Sequence, residues 1–142
     1  MYLKEIGVVK SKEENRGIIE IFNEYKEGLD GIEEFSHIIL LAWLNKVSND
    51  QRKILKVKPM RLDNLPTVGV FCTHSPHRPN PIALSIVKLI ERKENLLYVD
   101  NLDLFVGTPI LDIKAFSLAF CPKDVKVPHW NNELSKFHKK SE

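Results

Sequence analysis

The apolar and polar positions alternate in short runs, and most of these runs read as strands. Ile6-Gly7-Val8-Val9 and Gly17-Ile18-Ile19-Glu20-Ile21-Phe22 are brief and rich in β-branched residues, which suit a pleated surface. His37 to Leu44 is almost continuously apolar, the pattern of a strand buried on both faces. From Leu55 to Lys58 the positions alternate, which puts Lys56 and Lys58 on one face. Thr67–Thr73, Ile82–Glu91, Leu96–Asp100 and Ile110–Phe120 complete the predicted strands. Helical spacing is scarce. Tyr25–Phe35 contains Gly28 and Gly31, each costing about 1 kcal/mol inside a helix, so it reads as a loop with at most a helical turn. Near the end, Trp130, Leu134 and Phe137 fall at helical spacing. They predict a short C-terminal helix, capped by Asn131 or Asn132 and frayed over its last four residues.

Strands outnumber helices, and no long helical stretch separates them. That opposes βαβ units and a doubly wound sheet. The expected fold is mainly β: a small closed or nearly closed antiparallel barrel with a short C-terminal helix, since closure removes exposed edges. The eight prolines fall mostly at strand ends and in loops, where proline is tolerated. At 142 residues the chain is expected to be one domain, with a core over about residues 4–120 and an extension over 121–142.

Composition narrows the class. With 43% hydrophobic and 28% charged residues, general disorder is excluded. A formal net charge of +2 excludes a histone-like tail but leaves room for a local basic patch. The longest apolar run, Ile38 to Leu44, is far short of the roughly 20 residues that span a bilayer, so no membrane association is expected. The N-terminus has no apolar leader, and Cys72 and Cys121 are the two cysteines. They are expected to be free thiols in the cytoplasm.

The stretch that carries chemistry is Gly69-Val70-Phe71-Cys72-Thr73-His74-Ser75-Pro76-His77-Arg78-Pro79-Asn80-Pro81-Ile82-Ala83-Leu84-Ser85. Three prolines in its middle fix φ and push Ser75, Arg78 and Asn80 toward extended geometry. Such a stiff polar loop suits a binding site, because little ordering entropy remains to be lost on binding. Arg78 carries a permanent charge and a fork that grips a carboxylate or phosphate with two hydrogen bonds. A second stretch, Asn101 to Lys114, sets Asp103, Asp112 and Lys114 in an apolar background. Asp112 and Lys114 share one face of a strand, and an exposed ion pair is the plain reading of them.

Other chemistries fare worse. Cys72, His74 and His77 are metal-ligand types, but no fourth ligand is near in sequence, so no metal is expected. The glycine pattern of a Rossmann cofactor site is missing, as are the phosphate-binding loop and the nucleophile elbow. Arg52, Lys53, Lys56, Lys58 and Arg61 form a basic cluster. It reads either as a solvated face or as a patch for nucleic-acid phosphates.

Gly69 to Ser85 resembles the G-V-F-A-T-R-S-P-x-R-P-N-P-I-G-L-S motif of the TsaA-like family. Leu102-Asp103-Leu104 with Gly107-Thr108-Pro109-Ile110-Leu111-Asp112-Ile113-Lys114 resembles its L-D-L-x-D-G-T-P-x-x-D-I-K-P-Y motif. Ile6 to Val9, and Gly28-Leu29 through Phe35-Ser36-His37, resemble its opening strand and its G-L-x-x-L-x-x-F-S-H element. The family includes the tRNA methyltransferase O type, whose members are small non-Rossmann β-barrels and homodimers. They use S-adenosylmethionine to methylate N6 of threonylcarbamoyladenosine beside the tRNA anticodon. The resemblance therefore implies a tRNA substrate, an S-adenosylmethionine cofactor and a second copy of the chain as partners. It implies cofactor contacts at Asn45, Lys46, His74, Ser75, Leu84, Leu102, Asp103 and Thr108. It places Arg78, Asn80, Asp103, Asp112 and Lys114 in the catalytic loop and motif; by the chemistry of the transfer, a carboxylate such as Asp103 or Asp112 would accept the released proton.

This sequence departs from the family pattern in several places. His74 stands for an arginine, Ala83 for a glycine and Val106 for an aspartate. Lys114-Ala115-Phe116 stands for K-P-Y. A P-R-Q element after the first strand is missing, and the second, C-terminal domain of long members is not reached. An alternative reading follows: a catalytically degenerate module that binds S-adenosylmethionine or another small ligand.

Overall fold

A computed structural model describes residues 1–59 and 64–134. The chain divides into two compact units, Met1–Lys46 with Pro81–Leu118, and Val47–Asn80 with Ala119–Glu142.

The first unit is a closed antiparallel barrel. Its strands are β1 (Gly7–Glu13), β2 (Arg16–Ile21), β3 (His37–Trp43), β6 (Ile82–Lys93), β7 (Leu96–Asp100) and β8 (Pro109–Ala115). They are ordered β1-β2-β7-β6-β3-β8 around the barrel. The period-2 patterns set which side chains point inward. Val9, Ile19, Ile21, Ile38, Leu40, Ala42, Val87, Leu97, Val99 and Ile110 are all essentially without solvent exposure. Leu29, Leu102 and Leu104 close the same core from outside the strands. The register confirms the alternation on the long pair: Leu40 faces Ser85 and Ile38 faces Val87 across β3 and β6.

The strand expectations hold, with shifted bounds. β1 runs on through the polar Lys10–Glu13 because its hairpin with β2 pairs Glu13 with Arg16. Glu14 takes a positive φ of 56° at the turn, so no glycine marks it. β8 stops at Ala115 and is followed by a 3₁₀ turn over Leu118–Phe120, so the expected strand to Phe120 is shortened. Where a loop with at most a helical turn is expected over Tyr25–Phe35, two 3₁₀ helices run over Asn23–Leu29 and Ile32–Glu34. Arg92 of β6 fastens this segment to the barrel. It donates to the Leu29 carbonyl at 3.1 Å and pairs with Asp30 and Glu33, each at 3.4 Å.

The second unit contains the two-stranded sheet of β4 (Lys56–Val57) and β5 (Val68–Gly69). The expected Thr67–Thr73 strand is only Val68–Gly69, because the chain turns into a 3₁₀ segment at Val70–Cys72. A helix begins at residue 129 and is described to 134. Asn131 and Asn132 thus lie inside it rather than at its cap, while Phe137 and the final residues fall outside the described part. No helix among the described residues is long and apolar enough to cross a membrane.

Candidate functional site

The proline loop of the second unit is held mainly by its own backbone. Thr73 Oγ donates to the Val70 carbonyl at 2.9 Å and accepts the Ser75 amide at 3.2 Å. Ser75 Oγ in turn accepts the His77 amide at 3.2 Å. These short-range turns are what Ser and Thr offer in place of regular structure. Arg78 Nη1 donates to the carbonyls of Thr73 at 2.8 Å and Ser75 at 3.3 Å. Its guanidinium lies 6.0 Å from the centroid of the Phe71 ring. Part of the fork that sequence reasoning aimed at a ligand thus staples the loop. Arg52, expected in the basic cluster, has a second staple role. Its Nε donates to the Pro79 carbonyl at 2.7 Å and its Nη2 to Asn80 Oδ1 at 3.4 Å.

The rest of the basic cluster is divided. Lys53 pairs with Asp50 at 3.5 Å on the surface. Lys56 and Lys58 line a cavity of about 650 Å³ with Thr73, His74, Ser75 and His77. Arg61 lies outside the described residues. Cys72 and Cys121 are free and exposed. Among the described residues, no three His, Cys, Asp or Glu side chains are grouped to hold a metal ion.

The barrel unit gathers the second motif. Ser85, only 6% exposed, donates to Asp103 Oδ1 at 2.6 Å. This bond joins the last residue of the first motif to the carboxylate of the second. Leu102 is fully buried, and its amide donates to the Asn15 carbonyl at 2.8 Å. Thr108 is buried as well and spends its hydroxyl on the Phe105 carbonyl at 2.7 Å. Gly107 turns the chain there with φ of 89°, a conformation open to glycine. Its amide meets the Val9 carbonyl at 2.9 Å, and Thr108 returns a carbonyl to the Val9 amide at 3.0 Å. The loop is thereby fixed to β1. Asp112 and Lys114 form an exposed pair at 3.6 Å, the weak surface contact read from their spacing.

Asn45 and Lys46, just past β3, are exposed. Lys46 Nζ sits 5.3 Å from the centroid of the Phe105 ring, which is itself 69% exposed. Leu84 is also exposed, on the outer face of β6. The sequence reading did not single out Phe105, the exposed aromatic between Leu104 and Val106 that Lys46 approaches. It also missed Arg52's bonds to the proline loop, which no local pattern announces.

Residues 8–120 match the family model of the tRNA-methyltransferase O N-terminal domain. A protein described as a probable S-adenosyl-L-methionine-binding protein of Methanocaldococcus jannaschii is 48% identical over 124 residues, 86% of this chain and 98% of that one. The tRNA (adenine(37)-N6)-methyltransferase of Homo sapiens is 40% identical over 109 residues, 76% of this chain but 24% of that protein. The crystal structure of TrmO from Pseudomonas aeruginosa superposes with a TM-score of 0.69 at 28% identity, covering 89% of this chain and 60% of that one. The chain thus spans nearly the whole of the archaeal protein and only part of the other two.

Proposed function

Because the chain belongs to the tRNA-methyltransferase O family, through that family's N-terminal domain, we propose that it is an S-adenosylmethionine-dependent tRNA methyltransferase acting on an adenine N6. The finer reading is that the adenine is the threonylcarbamoyladenosine beside the anticodon and that the work is done in the cytoplasm. One observation carries the assignment to the barrel unit: the Ser85–Asp103 hydrogen bond at 2.6 Å, which couples the two motifs that define the resemblance.

The residues of the barrel unit suit the cofactor's chemistry. A carboxylate at Asp103 favours a sulfonium and an ammonium group. The exposed Phe105 ring and the Asn45 amide suit a purine. When bound, S-adenosylmethionine supplies an activated methyl carbon, so this chain's residues need to orient rather than activate. Orientation means holding donor and acceptor about 3–3.5 Å apart and in line. Asp103 accepts the proton released from N6 as the new carbon–nitrogen bond forms. Ser85 holds one of its oxygens, leaving the other for that task. In the second unit, the staple bonds of Arg78 and Arg52 keep His74, Ser75 and Asn80 in one arrangement, which lowers the ordering cost of binding.

The proposal includes a homodimer. What supports it is the outer face of β6, where Ile82, Leu84, Ile86 and Ile90 are 40%, 57%, 42% and 48% exposed. The apolar run from Ile82 to Ile86, broken by the exposed Lys88 before Ile90, is of the kind that marks an interaction surface. Sedimentation at micromolar protein is expected to give twice the mass of one chain; monomers alone would reject the pairing.

Calorimetry with S-adenosylmethionine tests the cofactor, and no binding at millimolar cofactor would overturn the reading. The replacement of the family's aspartate by an exposed Val106 favours the second reading, a binding module without catalysis. Saturable cofactor binding with no methyl transfer to bulk tRNA would select it.

A further inference from the structure

The cavity of the second unit has an unusual charge balance. It encloses about 650 Å³, and Lys56, Lys58, His74 and His77 stand on its wall without a carboxylate among the described lining residues. The neighbouring cations are otherwise engaged: Arg52 on Pro79 and Asn80, and Lys53 on Asp50. Lys56 and Lys58 have no ion-pair partner among the described residues. The rest of the wall is largely apolar, with Ile54 and Leu134 among it. A wall of this kind matches a ligand with a flat apolar body and an anionic end. The volume lies within the range of small-ligand sites, about 300–1,000 Å³.

We infer that this cavity is a nucleotide site, in which Lys56 and Lys58 hold a phosphate and the apolar wall receives the base. The occupant is a single nucleotide of an RNA strand, an identification that rests on the tRNA reading above. Lysines supply the charge as compact ammonium groups on flexible stems, each with three donors for phosphate oxygens. Each histidine ring adds an N–H donor even when neutral. The stapled proline loop keeps His74 and His77 on the wall with little ordering cost. A nucleotide held here fixes the register of the strand, as phosphate contacts do.

The test compares adenosine 5′-monophosphate with adenosine, added to the full chain at low salt. The readouts are titration calorimetry and the amide resonances of residues 54–58 and 73–77. The monophosphate is expected to bind about tenfold more tightly than adenosine, as charge-assisted bonds to a phosphate require. It should shift those amides, and the preference should shrink as salt rises. Lys56→Met and Lys58→Met should each weaken the monophosphate about fivefold and leave adenosine unchanged. Lys4→Met serves as a control that changes neither, and thermal melting confirms that the variants are folded. His74 and Ser75, cofactor contacts by the resemblance, serve the nucleotide in this cavity, so saturating S-adenosylhomocysteine should leave the monophosphate affinity unaltered. Equal binding of monophosphate and adenosine overturns the inference, as do unmoved amides or wild-type affinity in both lysine variants. Competition by S-adenosylhomocysteine overturns it too, because the cavity would then be the cofactor's own pocket. Lysine-dependent monophosphate binding without any methyl transfer would uphold the site while removing the enzymatic reading.

Discussion

Ser85→Ala isolates the bond that joins the two motifs. The serine is 6% exposed and donates to Asp103 at 2.6 Å. A hydrogen bond to a charged group contributes about 1.5–3 kcal/mol. Asp103 itself is exposed, so water replaces part of what the hydroxyl gave, and the net loss falls to about 1 kcal/mol. For a chain of this size that lowers the melting temperature by about 2–4 °C. The substitution opens no sizeable cavity, since one oxygen is removed. A double-mutant cycle with Asp103→Asn separates the pair from its surroundings. We expect a coupling of about 1 kcal/mol between the two sites. In the methyl-transfer assay, Ser85→Ala should lower kcat more than it raises KM for the cofactor, because the serine positions a group needed at the reacting nitrogen. Strictly additive stabilities, with kcat unchanged in Ser85→Ala, would refute the argument that this bond positions the carboxylate.

Arg78→Lys keeps a charge but loses the guanidinium contact over the Phe71 ring and one of the two carbonyl bonds. Melting temperature and cofactor affinity should fall together, and a variant that keeps both would show that the loop does not depend on the staple. Gly7→Ala would set a Cβ 2.3 Å from the Glu20 carbonyl oxygen across the hairpin; overpacking against backbone should cost at least about 2 kcal/mol, read by denaturant unfolding. Lys26 pairs with Glu94 and holds its carboxyl below the usual carboxylate range. The stability from this pair is therefore present above the unfolded carboxyl's pKa and is lost as pH falls through the lower folded value. Glu94→Gln should accordingly lower stability by a constant small amount at every pH above the carboxylate range, and its deficit should vanish as pH falls through the lower folded value, as urea titrations across pH would show.

The barrel was legible where the apolar pattern is strong. β3 lies in the continuous apolar run His37–Leu44, and β6 and β7 start where Ile82–Glu91 and Leu96–Asp100 predicted them, the last two because burial on one face enforces a period of two. Legibility failed where long-range pairing overrides composition. Lys10–Glu13 extends β1 only because β2 offers partners, and Thr67–Thr73 breaks into a turn whose Thr73 amide bonds back to Val70. Division of the chain after Lys46 and after Asn80 leaves no mark in composition. At the site, the proline loop and the aspartate motif stood out by residue type. The tasks of individual side chains did not: Arg52 reads as one cation among five, yet it donates to a carbonyl 27 residues away. Thr108 likewise looks like a ligand contact in its motif, while its hydroxyl serves the turn at Phe105.

The most direct test of the central claim is transfer of isotopically labelled methyl from S-adenosylmethionine to bulk tRNA by the full chain. The modified RNA is digested and its nucleosides are resolved by mass spectrometry. The account predicts label on N6 of threonylcarbamoyladenosine, reduced in Ser85→Ala and lost in Asp103→Asn. Absence of label from every tRNA nucleoside, under conditions where calorimetry shows the cofactor bound, would contradict it.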